Sequence, residues 1–204
     1  MPKFKNAMSL RVSGTCGFLA PIFAFAFIFS AVVSYPQFSW VDNALSDLGV
    51  VAGVTAVLFN SGLIISGVLC FIFATGLFVF LGERAVSRMG AFVLVLASLA
   101  LVAIGVFPES VRHVHYFVSV AFFVLLPVSM LVIVEAFWLM GQVRMAVFTL
   151  LVAIVAATPW VVLFSVRYVS GVAVPEAVSA FAGSVWAVVL SGKMLKQASR
   201  SKIP

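Results

Sequence analysis

Residues 40–49 of the chain read WVDNALSDLG. Two carboxylates, an amide and a hydroxyl (Asp42, Asn43, Ser46 and Asp47) gather there, in a chain with only 9% charged residues. A second polar concentration, PESVRHVH at 108–115, brings Glu109 together with both histidines, His113 and His115. A third, RYVSGVAVPEA at 167–177, supplies Glu176. These residue types suit acid–base chemistry on an ester or related group. His115 is the candidate general base, and Glu109 or Asp47 would orient its ring. Ser46 or a water would be the nucleophile, Glu176 completes the acidic set, and Asn43 supports binding.

Each of these groups also has a plain structural reading. Asp42 or Asn43 can cap a short helix, Gly49 can end one, and Trp40 suits a membrane interface. Capping does not account for Ser46 and Asp47 a turn later, and Asn43 and Asp47 share a face in helical geometry. The 108–115 segment can be an ordinary polar turn in which Pro108 ends a helix. His113 and His115 resemble half of a zinc site, but no cysteine or further histidine completes it, so no metal and no cofactor is assigned. Asn60 and Ser61 lie within an apolar run, as helix glue or facing a cavity, and Asn60 is a candidate binding residue. Glu135 lies in another such run without a second titratable partner. Pro127 and Pro159 are candidate kink sites. A Ser/His/Asp triad is defined by geometry, which a sequence cannot grant.

The elements that must position these groups are membrane helices. The chain has 204 residues, 64% of them hydrophobic, with 21 Phe and a mean hydropathy of +1.27. A water-soluble domain of this size could not hide so much apolar surface. Six apolar runs, about 13–34, 54–81, 89–107, 115–140, 145–166 and 176–192, are each near the roughly 20 residues a helix needs to cross the bilayer core. They lack the short alternating pattern of a transmembrane barrel. The expectation is an all-α bundle of six transmembrane helices, one integral membrane domain over 1–204. The first run reads as a mature span, because no small-residue cleavage site follows it. Cys16 and Cys70 both fall within runs, so no disulfide is expected.

The charge of +6 is placed as topology requires, with no sign of nucleic-acid binding. An even number of spans puts both termini on one side. That side carries Lys3, Lys5, Arg11, Arg84, Arg88, Arg144, Lys193, Lys196, Arg200 and Lys202, and the other only Arg112 and Arg167. The positive-inside rule then makes both termini cytoplasmic in a multi-pass cell-membrane protein. Asp42, Asp47, Glu109 and Glu176 fall on the outer side, so three outer loops bring acid or imidazole to one face. The basic tail KMLKQASRSK is a topology anchor or a contact for anionic inner-leaflet lipid.

NTPase, Rossmann, lipase-elbow and HExxH patterns are absent. NALSDLG, LFNSGLIISG, IGVFPE, VHYFVSVAFF and GVAVPEA, over residues 10 to 196, together resemble domain of unknown function 998, a family of archaeal and bacterial multi-pass membrane proteins. The matching polar positions are Asn43, Ser46, Asp47, Asn60, Glu109, His115 and Glu176; His113 matches nothing in the pattern, and Ala44–Leu45 is a departure from it. More distantly, the SDLG loop followed by an acid–histidine loop is similar to the Frag, Dram and Sfk group. Some of that group are implicated in remodelling lipid-linked anchors. The resulting expectation is a protein that handles outer-leaflet membrane lipid, as a hydrolase or acyl-transfer enzyme. The alternative is a non-catalytic lipid or ligand sensor, or an accessory subunit with partner membrane proteins.

Overall fold

The computed structural model describes residues 2–200, and side chains from Asn6 to Arg200. Lys202 and the side chains of Lys3 and Lys5, counted above among the cations, lie outside the described residues. Six helices follow one another: α1 Pro2–Val33, α2 Val54–Phe80, α3 Ala85–Val106, α4 Arg112–Leu139, α5 Val143–Val166 and α6 Ala173–Arg200. Two 3-10 turns, Leu45–Val50 and Glu109–Val111, sit in the loops, and no strand forms among the described residues. All six helices are long and apolar enough to cross a membrane. In hydrocarbon every backbone polar group must be met internally, which a helix does within one segment. The chain is therefore an all-α, six-helix, multi-pass membrane protein. α1 and α6 extend past the expected spans, to Pro2 and Arg200, because the basic flanks continue the helix. Pro21, Pro127 and Pro159 lie inside continuous helices.

The helices pack in chain order around a ring that closes when α6 meets α1, and α5 bridges α4 and α6, which touch each other little. The ring is apolar outside and partly polar inside. Phe29, Phe92, Phe117, Trp138, Phe164 and Phe181 are exposed, whereas Ser87, Ser129, Thr149 and Ser191 are fully buried. This is the arrangement a lipid solvent favours, since burying a large apolar group gains little there and small residues let helices close in. A Cβ on Gly105 would come within 2.7 Å of the Asn60 carbonyl oxygen, and one on Gly67 within 2.8 Å of the Val102 amide.

One end of the bundle is basic. Gly82 (φ 81°) and Gly141 (φ 71°) follow α2 and α4 in left-handed conformations that other residues adopt with difficulty. The Arg84 guanidinium donates to the carbonyl of Leu139, where α4 leaves its last oxygens unpaired. The basic half is filled by Phe73, Met130, Phe137, Trp186, Leu190 and Met194. Trp186 meets Phe73 edge-on (6.2 Å between ring centroids, 88°) and donates its Nε1 proton to Thr149 Oγ1 at 3.2 Å.

The other end is acidic, and there the loop after α1 docks on the loop before α6. Gly171 N donates to Val41 O at 2.7 Å, and Val172 N and Ala173 N donate to Asn43 O at 3.1 and 2.9 Å. Any Cβ on Gly171 would collide with the backbone of Asp42 and Asn43. Gly171→Ala is therefore expected to lower stability by about 1–3 kcal/mol. Gly192→Ala, where a Cβ meets nothing, should raise it by up to ~1 kcal/mol through helix propensity. Thermal melts of the two variants in detergent check this; equal melts would show that the two loops are not docked through Gly171.

Candidate functional site

The site grows from the 3-10 turn at Leu45–Val50. Its amides need acceptors, and Asp47 turns back to meet them. Asp47 Oδ2 accepts from Ala44 N at 2.9 Å and from Asn43 Nδ2 at 2.7 Å, the pair expected from their spacing. Asn43 Oδ1 in turn accepts from Ser39 N at 2.9 Å. Asp42 faces solvent. Hydrogen bonds from Ser170 and Ser39, each 2.7 Å, hold its carboxyl below the usual carboxylate range. That contribution is present above the unfolded value and fades as pH falls through the lowered one.

The next amide, Leu45 N, donates 2.6 Å to Oε2 of Glu176. Glu176 is buried in the first turn of α6, where a carboxylate also meets the helix dipole. The bond spans 131 positions of sequence and ties the turn at Leu45–Val50 to α6. Glu109, half-buried in the second 3-10 turn, brings its carboxyl within hydrogen-bonding reach of Asp47, with Arg112 nearby as counter-charge. Burial first, and then the neighbouring Asp47, push the Glu109 carboxyl up to about 7. Asp47 and Glu109 also act electrostatically on Glu176. One acid from each of the three loops at this end thus enters a single cluster.

His115 has a different partner. It is 6% exposed, and its Nδ1 is 2.8 Å from the carbonyl oxygen of Phe107. A carbonyl only accepts, so Nδ1 carries the proton and the neutral ring has its lone pair on Nε2. The expected orienting group was Glu109 or Asp47. The ring is instead oriented by a carbonyl left free at the end of α3, where Phe107, the residue before Pro108, leaves the helical conformation. His113 is exposed. Asn60 donates from Nδ2 to Gly49 O at 2.9 Å, fixing the end of the turn to α2, while its Oδ1 is buried without a partner. Among the described residues no three His, Cys, Asp or Glu side chains converge to hold a metal ion.

Beneath the turn lies a cavity of about 120 Å³. Helices α1, α2, α3, α4 and α6 line it, and α5 does not. Leu45, Ser46 and Glu176 form its acidic end, and Phe73 and Trp186 its far end. Most of the wall is apolar. Its few hydroxyls include Ser66, which is 1% exposed and has no hydrogen-bond partner. Ser46 and Glu176 line the cavity; His115, Asp47 and Glu109 do not.

Residues 18–193 match the model of a family described as a protein of unknown function, DUF998. The chain belongs to the DUF998 family. Comparison with curated proteins and with solved structures finds no match. For this DUF998 member the expected site residues thus fall into two groups, an acid cluster that braces the loops and a pair, Ser46 and Glu176, that faces the cavity. Reading side chains in sequence missed the amide of Leu45 and the carbonyl of Phe107, because any residue type offers those atoms. It also missed Trp160, whose Nε1 donates to Ser179 Oγ at 2.9 Å, which donates on to Ala156 O at 2.6 Å, pinning α6 to α5.

Proposed function

We propose that this protein handles membrane lipid one molecule at a time. The tail lies in the cavity and the polar head at the Ser46–Glu176 mouth, on the extracytoplasmic side of the cell membrane. The observation that carries this reading is an apolar cavity whose hydrogen-bonding carboxyl and hydroxyl meet at one end, the polarity of an amphiphile. The ten-to-two division of Lys and Arg supports the sidedness. The similarity to the Frag, Dram and Sfk group, some members of which are implicated in remodelling lipid-linked anchors, points the same way.

Protein extracted in a sterol-based detergent, which has no alkyl chain to compete, is expected to carry about one lipid per chain by mass spectrometry. Ala180→Phe, one helical turn below Glu176, fills the lined space and should leave the protein bare. Wild type and variant carrying the same lipid in the same amount would remove the reading. Sidedness has its own test. Ala52 and Ala85 are exposed at the acidic and basic ends. Ala52→Cys should react with an impermeant thiol reagent applied to intact cells, and Ala85→Cys should not. The opposite labelling would place the mouth in the other leaflet.

A hydrolase or acyl-transfer reading is favoured by one feature, the presence of Ser46 and Glu176 at the same mouth. Ser46 Oγ would attack the ester carbonyl of the bound lipid. The Glu176 carboxyl would take the Ser46 proton on one oxygen and deliver one from the other to the departing alcohol, leaving the acyl group on Ser46. Asp47 and Glu109 would set the charge around Glu176. Ser46→Ala would then abolish release of alcohol from an ester lipid while the bound lipid remains. Undiminished release would exclude Ser46 as the nucleophile.

A further inference from the structure

We infer that the cavity selects its occupant by length and by head charge. It takes one short hydrocarbon tail, on a neutral hydroxyl-bearing head, and Phe73 and Trp186 set where the tail must end. The inference rests on the lipid-handling reading above and adds the class of ligand.

Depth is the first ground. On α6 the lining runs from Glu176 to Ala187, and on α3 from Ile104 to Leu94. At a rise of 1.5 Å per residue both lined stretches are about 15–17 Å long. The cavity volume of about 120 Å³ is below that of the roughly 150 Å³ cavity that holds one benzene ring, so the tail it takes is a short one. Small side chains keep the channel open along its length, Ala20 and Ala24 on α1, Ala97 on α3, and Ala180 on α6.

The floor is the second ground. Phe73 and Trp186 are each 1% exposed and stand edge to face. The Trp186 ring is further fixed by its bond to Thr149. Neither ring can turn aside without displacing the packed residues around it. A tail too short leaves a void above them, and a tail too long lifts its head out of the mouth.

The head is the third ground. Glu176 faces the cavity, and Asp47 and Glu109 act on it from behind. Carboxyls so placed oppose a carboxylate or phosphate head and accept hydrogen bonds from hydroxyls. Ser46 adds a hydroxyl at the same level.

Fit must supply this selectivity, because a micelle is as apolar as the cavity. That gives the test a clear form. Saturated monoacylglycerols of increasing length are titrated into wild-type protein in a sterol-based detergent, followed by thermal shift and native mass spectrometry. The expected result is a maximum at one chain length, with affinity falling roughly five-fold or more per carbon beyond it through overpacking. Non-specific partition out of the micelle instead gives binding that does not change with chain length and shows no maximum; that outcome overturns the inference. Phe73→Leu lowers the floor and should move the maximum to longer chains. Ala187→Leu raises it and should move the maximum to shorter ones. A maximum that stays put in both variants removes the floor from its role. Fatty acids of the optimal length are expected to bind at least ten-fold more weakly at neutral pH, and equal binding would overturn the claim about the head. If no monoacylglycerol binds at any length, the lipid-handling reading itself falls; if all bind without a maximum, it stands and only the length selection is lost.

Discussion

Asp47→Ala is expected to destabilise the protein by about 2–4 kcal/mol, the largest loss for any single change in the acidic loops. The carboxylate accepts from the Ala44 amide and the Asn43 side chain at once. Removing it strands two donors, and an unmet buried donor costs roughly 1–3 kcal/mol. Both are only half-buried, so water recovers part of the loss and the lower half of the range applies. Asp47→Asn keeps one oxygen in place and should lose less than half as much. Glu109→Gln makes a sharper comparison. The amide carries no charge and can offer an N–H to Asp47, so the repulsion between the two carboxyls disappears. That variant should melt at or above the wild-type temperature. Thermal melts of all three at neutral pH decide the matter. Asp47→Ala melting with the wild type would show that the turn is held by something other than this carboxylate.

Trp186→Ala is expected to cost about 3 kcal/mol. In soluble proteins a buried aromatic cut to alanine costs about 3–5 kcal/mol, part of it the transfer of apolar surface out of water. Here the unfolded helix is solvated by lipid, so that transfer contribution is largely absent and the lower end applies. What remains is the void beside Phe73 and the lost bond to Thr149. Trp186→Phe keeps most of the volume and should cost about 1 kcal/mol, the net worth of a typical hydrogen bond. Equilibrium unfolding in mixed micelles measures both, and no difference between them would mean that the basic half is not packed around this ring.

The helices were legible in the sequence because hydrocarbon admits few backbone solutions. Runs such as 54–81 and 145–166 announce themselves by length and apolarity, and α2 and α5 form over nearly those residues. The pairing of Asn43 with Asp47 was only half legible: helical spacing put them on one face, but Asn43 precedes the 3-10 turn and Asp47 reaches back to it as part of a cap. What stayed hidden depends on atoms common to every residue or on empty space. Glu176 stood out as a rare acid, yet nothing in its neighbourhood names Leu45, 131 positions away. His115 stood out as a base, but its partner is a backbone carbonyl that became free only because Pro108 follows. The cavity is the hardest case. Ala20, Ala97 and Ala180 are individually unremarkable, and only the ring brings their missing volumes together.

The ring has a consequence for how the protein is made. Each of the first five helices can find its neighbour as soon as both have emerged from the ribosome. The closing contact joins α1 to α6, and Leu45 cannot reach Glu176 until α6 has been inserted. Until then the nascent chain is an open crescent, with the walls of its future cavity facing lipid and the turn at Leu45–Val50 without an anchor. Domains commonly acquire structure from the N-terminus during synthesis. In this protein the closing step waits for α6, so a chain stalled before residue 173 presents to the membrane quality-control machinery a surface the folded ring never shows.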